Sequence, residues 1–396
     1  MKSYEKYGIN QCFFGKLPWY FNFFLKSCST NPTVNFLIFT DQEKPKKCPN
    51  NVEFIPFSLK QFNSLASERL NLKIEIKYAY KLCDFKPAYG IILSDYLKDY
   101  EYWGITDIDL IFGRIREFIT DEMLTDYEVI SVRNDYPTGS FMIFENKEKT
   151  NWLFKKSKDY EKIFTSDKHY CFDECNFVHQ YLEDGGDIFE IETEIESMHH
   201  ILMYEIQNNN LKVHFDFLII EGLPGKLFWN NGLLSFKNEF EVLHYHLILY
   251  KANQYTLKRD WEEIPNQFYI DKYLIRKNGI LSILDYLFND NIRIWFKKAN
   301  ILIEYYLSVK ISKTRLKNIN NSAFVNGNYK RFIIKNECND NFLSFNLDYP
   351  NYILYKSIFK NNNIFFKENK HLHYKIINNT LIEITKDGST FKLEKE

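Results

Sequence analysis

The chain has 396 residues, with 51 Lys and Arg against 52 Asp and Glu, for a formal net charge of −1. That length asks for more than one structural unit. The charge balance excludes wholesale nucleic-acid binding, which relies on clustered positive charge. Hydrophobic residues make up 45% and aromatic residues 18%, enough for packed cores. The abundance of Phe, Tyr, Asn, Lys and Ile also fits AT-rich coding, so the aromatic count is not read as sugar binding. The seven Cys are scattered, with no C-x-x-C pair, which points to reduced thiols rather than a disulfide framework or a zinc site. MKSYEKYGINQCFFGK, at the N-terminus, carries no long apolar signal-peptide core, and no apolar run suffices for a membrane-spanning helix. A cytoplasmic protein is expected.

The first half alternates. INQCFFG (Ile9 to Gly15) reads as a buried strand, and LPWYFNFFLKSCS follows as a helix with Pro18 near its start. VNFLIFTD (Val34 to Asp41) and NVEFIPF (Asn51 to Phe57) read as strands, and SLKQFNSLASERLNL as a helix. Asp84 to Leu97 reads as a helix capped by Asp84, with Pro87 in its first turn. YEYWGITD is the next strand. This alternation indicates an α/β domain with a largely parallel sheet. YEVISV (Tyr127 to Val132) and GSFMIF (Gly139 to Phe144) are strand-like, with helices expected at about 151–164 and 173–182. EVLHYHLIL (Glu241 to Leu249) is a late apolar segment with two His. Residues 291–310 read as an amphipathic basic helix. From about Ser322 the pattern changes to short alternating runs, with Asp387-Gly388 as a hairpin signal.

The candidate chemistry starts at YEYWGITDIDLIFG (Tyr100 to Gly113). A strand ends at Asp107 and Asp109 follows. Period-2 geometry places both carboxylates on one side, at the strand end where open α/β sheets bind ligands. A hard divalent cation, Mn²⁺ or Mg²⁺, would relieve their repulsion; the competing reading is a solvated loop. KLCDFKPAYG places Lys86 at a helix start, where charge and dipole attract phosphate, or where it is an ordinary surface Lys. His244 and His246 in HYH share a face and offer a further metal ligand, with Lys251 in reach of phosphate; alternatively they are structural His. In CFDECNF, Asp173 and Glu174 read as acceptor-binding or general-base carboxylates, or as acids favoured by a helix dipole.

Joined in order, CFFGKLPWYFNFFLKSCSTNPTVNFLIFTD, CDFKPAYG, YWGITDIDLIFGRI, TGSFMIF, FDE and HYH resemble an uncharacterised bacterial family with a glycosyltransferase-A fold. That fold is a Rossmann-like nucleotide-sugar-binding architecture, and the family is associated with surface polysaccharide gene clusters. The resemblance covers about residues 5–255. It implies a glycosyltransferase-A-like domain over 1–255, followed by a helical segment over 256–320 and a small β-rich region over 321–396. By the same resemblance Asp107 and Asp109 hold Mn²⁺ or Mg²⁺ against a nucleotide-sugar diphosphate, with His246, then His244, as further ligand. Gly15, Lys16 and Asp41 would receive nucleobase and ribose. Asp84, Lys86 and Lys251 belong to the donor site, and Asp173 and Glu174 face donor sugar or acceptor. The implied partners are a nucleotide sugar and a glycan or lipid-linked acceptor. Peripheral contact with the inner membrane would run through Arg293 to Lys317, although packing of its aromatic face on the catalytic domain is the preferred reading. A non-catalytic sugar-nucleotide binder and a metal-dependent nucleotide hydrolase are the alternatives.

Overall fold

A computed structural model describes residues 7–216, 219–259, 261–279, 290 and 292–300, together with the backbone of strands between 327 and 394. The chain divides into two compact units, Met1–Ile294 and Trp295–Glu396. The first is built on a seven-stranded mixed sheet. Its strands are β1 (Tyr7–Phe13), β2 (Val34–Thr40), β3 (Val52–Pro56), β4 (Tyr102–Thr106), β6 (Val129–Ser131), β7 (Phe141–Glu145) and β8 (Val213–Phe215), with β5 (Leu110–Phe112) set apart from it. The order is β3-β2-β1-β4-β7-β6-β8. β1 runs parallel to β2 and β4, β2 to β3, and β6 to β8; β7 is antiparallel to β4 and β6. The expected α/β class with a largely parallel sheet is what the chain adopts.

Alternation explains how the sheet is covered on both faces. Along β2, Phe36 and Ile38 enter one core with Phe21, Phe24 and Cys28 of helix α1 (Phe21–Ser29). Leu37 and Phe39 enter the other with Phe62, Ala66 and Leu70 of helix α2 (Leu59–Leu70). Helix α1 starts where the Pro18 carbonyl accepts the Phe21 N–H at 3.0 Å. Helix α2 starts on a capping box between Ser58 and Gln61 and ends on left-handed Asn71, local signals worth about 1 kcal/mol each.

Three helical expectations before residue 200 need correction. Residues 84–97 are not one helix: a 3₁₀ stretch, Ala79–Ala88, leads into the short turns Tyr89–Ile92 and Ser94–Leu97. Burial dictates this, since Lys81, Asp84 and Lys86 all point inward. Residues 151–164 break into Glu148–Asn151, Leu153–Lys156 and Tyr160–Thr165. Residues 173–177 form turns, and the helix there is only His179–Glu183.

A second, antiparallel sheet contains β10 (Leu227–Asn230), β11 (Leu233–Phe236), β12 (Phe240–Glu241), β14 (Gln267–Ile270) and β15 (Ile275–Lys277). A helical segment is expected from residue 256, but the stretch carries β14, which pairs with β10, and β15, which pairs with β14. Phe268 stacks on Trp229 at 5.0 Å, and the Trp229 indole N–H donates to the Phe112 carbonyl at 2.9 Å. A small third sheet joins β5, β13 (His244–His246) and β9 (Ile219–Ile220).

Residues 292–300 are helical; 301–326, which include most of the basic and aromatic segment Arg293 to Lys317, lie outside the described residues. In the second unit, strands between Gly327 and Leu354 form one antiparallel sheet and those between Ile358 and Glu394 another. Lys386 lies opposite Ser389 in the last hairpin, and the intervening Asp387 and Gly388 are outside the described residues. Among the described residues no helix is long and apolar enough to cross a membrane.

Candidate functional site

The strands β1, β2 and β4 end at the same edge of the sheet. There the Asp107 N–H donates to the Ser140 carbonyl at 3.0 Å, extending the β4–β7 ladder by one residue. β5 follows and pairs with β13, with His246 opposite Leu110. The Leu247 N–H donates to the Asp109 carbonyl at 2.9 Å. Two ladders thus bring Asp107, Asp109 and His246 together, and one ligand atom from each lies within 4.8 Å of the others.

His246 Nε2 is 3.4 Å from Asp109 Oδ2, and its Nδ1 is 2.6 Å from Glu221 Oε1. Glu221 in turn accepts from Arg133 Nη1 at 2.8 Å, and Arg133 is also bonded to Asp135 and Glu183. A carboxylate behind an imidazole fixes ring orientation and raises its basicity. Burial works against charge on both members of the front pair. His246 and Lys251 nevertheless hold Asp109 well below the usual carboxylate range, and Asp109 with Glu221 pushes His246 up to about 10.

Each aspartate also has a lysine. Lys86 Nζ donates to Asp107 Oδ1 at 2.7 Å and to the Gly139 carbonyl at 2.6 Å. Lys251 Nζ donates to Asp109 Oδ2 at 2.6 Å and lies 5.7 Å from the centre of the Tyr20 ring. Burial acts against the Lys86 charge, but Asp107, then Cys83 and Asp173, hold its pKa well above the ordinary value. Lys86 is therefore no surface residue at a helix start; it is a buried cation aimed at the acid pair.

Asp84 is neither a helix cap nor exposed to a ligand. Fully buried, it accepts from Lys81 Nζ at 2.7 Å and from the Tyr170 and Phe172 N–H groups at 2.9 Å each. It anchors the loop that carries the FDE residues. In that loop Asp173 is buried, with Oδ2 3.8 Å from Lys86 Nζ. Desolvation raises its pKa well above the usual range, outweighing Lys86. A Cβ on Gly139 would lie 1.9 Å from Asp173 Oδ2, so only glycine fits there. Glu174 accepts the Gly139 N–H at 2.9 Å and lies 2.8 Å from His179 Nε2. Burial opposes its charge, yet His179 first, then the Gly139 N–H, hold its pKa down at about 2.

Gly15, left-handed at φ +97°, donates its N–H to Asp41 Oδ1 at 2.9 Å. The ends of β1 and β2 are thereby joined beside exposed Lys16, at the same sheet edge as Asp107. His244 does not join the acid pair. It is fully buried against the Phe112 and Phe141 rings, and neither ring nitrogen has a hydrogen-bond partner. Burial, with His246 second, drives its pKa well below the ordinary value. Sequence reasoning missed Tyr20, Arg133, His179 and Glu221, none of which sits in a spaced motif.

The chain belongs to the family described as "Family of unknown function (DUF6625)", whose model matches residues 9–283. No match is found among curated proteins. Solved structures similar to it include the galactosyltransferase LgtC in complex with donor and acceptor sugar analogs, at 10% identity and TM-score 0.26, covering 53% of this chain and 72% of that one. Mouse xyloside xylosyltransferase 1, apo form, is similar at 11% identity and TM-score 0.30, over 61% of this chain and 97% of that one. The apo-form glycosyltransferase GlyE of Streptococcus pneumoniae TIGR4 is similar at 11% identity and TM-score 0.25, over 53% of this chain and 44% of that one.

Proposed function

We propose that the protein is a metal-dependent glycosyltransferase, moving a sugar from a nucleotide-sugar donor to a glycan or lipid-linked acceptor in bacterial surface polysaccharide synthesis. The observation that carries this reading is the convergence of Asp107, Asp109 and His246, with Lys86 and Lys251 against them, at the carboxyl edge of a largely parallel sheet. Two carboxylates and one imidazole whose far nitrogen is held by Glu221 suit Mn²⁺ or Mg²⁺. When bound, that ion supplies positive charge against the departing diphosphate. Lys86 and Lys251 add charge at the same place, where it develops as the sugar–phosphate bond breaks. Gly15, Lys16 and Asp41, at the same sheet edge, would receive base and ribose. For an inverting reaction, Asp173 or Glu174 would serve as the general base that takes the acceptor hydroxyl proton. The β-rich region, residues 321–396, is proposed to contact acceptor or a partner, and work at the inner leaflet through Arg293 to Lys317 is tested by co-sedimentation with anionic vesicles.

A second reading is favoured by the lysine pairs. With Asp107 and Asp109 already neutralised, Lys86 and Lys251 bind the diphosphate directly and no metal is needed. A thermal-shift screen of nucleotide sugars with and without Mn²⁺ separates the two. Metal-dependent transfer predicts stabilisation by donor only with Mn²⁺, about 2.7 kcal/mol at a hundredfold excess over Kd, lost in Asp109→Asn. Donor binding indifferent to Mn²⁺ and to Asp109→Asn would refute the metal reading. Donor cleavage without transfer to any glycan would favour a hydrolase, and binding without turnover a non-catalytic binder.

A further inference from the structure

The acidic loop holds a second convergence that the transferase reading leaves unused. Cys171 Sγ, Glu174 Oε2 and His179 Nε2 face one another at 3.3 Å (Cys171–Glu174), 3.6 Å (Cys171–His179) and 2.8 Å (Glu174–His179). They are half-buried to buried, and one ligand atom from each lies within 4.8 Å of the others. We propose that Cys171, Glu174 and His179 form a binding site for a borderline-soft divalent transition metal, zinc being the type.

The geometry is close to what that ion requires. Tetrahedral zinc, with bonds of about 2.3 Å to sulfur and about 2.1 Å to nitrogen and oxygen, sets S–N and S–O edges near 3.6 Å and an N–O edge near 3.4 Å. The S–N edge already matches and the S–O edge is about 0.3 Å short. Only the hydrogen-bonded Glu174–His179 pair must open, by about 0.6 Å. The donor set also discriminates: a thiolate and an imidazole select zinc-like metals over Mg²⁺, Ca²⁺ and Mn²⁺, the reverse of the oxygen-rich set at Asp107 and Asp109.

The ligands are held in place by the chain around them. Cys171 sits at φ +54°, in the left-handed region, as do Asn176 at +52° and Phe177 at +67°. Such conformations cost energy at non-glycine residues and persist only where the surroundings enforce them. Here Asp84 takes the N–H groups on either side of Cys171. Asn176 donates its amide to the Tyr170 carbonyl and accepts the Glu194 N–H, and the His199 N–H donates to the Glu174 carbonyl. The Glu174 oxygen not used here takes the Gly139 N–H. Three protein ligands leave a fourth position for water or substrate. On binding, the Cys171 thiol gives its proton to solvent, as does His179 where it is protonated. Glu174 would then be a ligand, which leaves Asp173 as the loop's free carboxylate.

The test is Co²⁺ titration of the full-length chain, read by absorption rather than by transfer. Its outcome is therefore separate from the fate of the transferase reading. Expected is a saturable sulfur-to-cobalt charge-transfer band, displaced by Zn²⁺, saturating at one equivalent in Asp109→Asn, where the acid-pair site is disabled, and lost in Cys171→Ser. His179→Gln, which leaves the thiol in place, should weaken cobalt binding at least tenfold and serves should Cys171→Ser fail to fold. Cobalt binding with no sulfur band overturns the proposal. So does a band that survives Cys171→Ser, or unchanged cobalt affinity in His179→Gln.

Discussion

Replacing Asp84 with Asn tests whether this residue is an anchor or a donor ligand. The carboxylate and its partner Lys81 are almost wholly inaccessible, at 0% and 1% side-chain exposure. One oxygen takes Lys81 and the Tyr170 N–H, and the other takes the Phe172 N–H, with His169 Nδ1 3.2 Å away. An Asn oxygen can keep the first pair, but its amide then faces the Phe172 N–H, and the buried ammonium loses its counter-ion. Breaking a buried ion pair from one side costs about 3–5 kcal/mol. The Ile163 and Lys168 carbonyls still bind the Lys81 ammonium, so the lower end, about 3 kcal/mol, is expected. Urea unfolding of wild type and Asp84→Asn at pH 7, followed by near-ultraviolet circular dichroism, reads the difference. A loss under 1 kcal/mol refutes the anchoring argument. Donor binding lost at unchanged stability would return Asp84 to the donor site.

Three further outcomes are expected. Gly139→Ala drives a methyl into Asp173; it should cost about 1–3 kcal/mol as an overpacked site and lower transfer, as read by Tm and initial rates. Glu221→Ala removes the support behind His246; the Mn²⁺ concentration needed for donor binding should rise about 10–100-fold, and an unchanged requirement would show that His246 is held by something else. His199 is buried, and burial first, with His200 second, lowers its pKa from 6.5 to about 4. Its folded value lies below its unfolded one, so its contribution to stability is present above pH 6.5 and lost as pH falls through 4. The total is about 3 kcal/mol, and His199→Gln should flatten that part of the urea midpoint's pH dependence.

The acid pair was legible because an apolar strand running into D-x-D fixes both its position and its side. The nearby cations were legible less well. Lys86 and Lys251 were assigned to the site for phosphate, but their pairing with Asp107 and Asp109 depends on tertiary distance. DFKP looks like a cap followed by proline, and that local signal lost to burial: Asp84 turns inward because three buried donors need it. HYH offered two imidazoles on one face, ranked His246 before His244 only by resemblance, and the β5–β13 register gives the physical reason that His246 reaches Asp109. Glu221 and Arg133 lie 88 residues apart in sequence and belong to no pattern, so no reading of spacing finds them. The strands of 267–277 were hidden by short runs whose partners, Leu227 and Trp229 among them, lie far upstream.

The pairing of β5 with β13 bears on the order in which the chain can fold during synthesis. Leu110, Ile111 and Phe112 leave the ribosome more than a hundred residues before His244, Tyr245 and His246, their ladder partners. Until then this fully buried tripeptide has an open edge, of the kind that pairs with other chains. The parallel core of β1 to β4 can assemble from the first hundred or so residues, but the aspartates at its rim wait for a late segment. A chain cut short before residue 246 would keep both carboxylates and lose the imidazole, Lys251 and the cover of its own strand edge. Such a fragment is expected in the insoluble fraction when expressed, which makes solubility of the nested truncations a direct report of when the site closes.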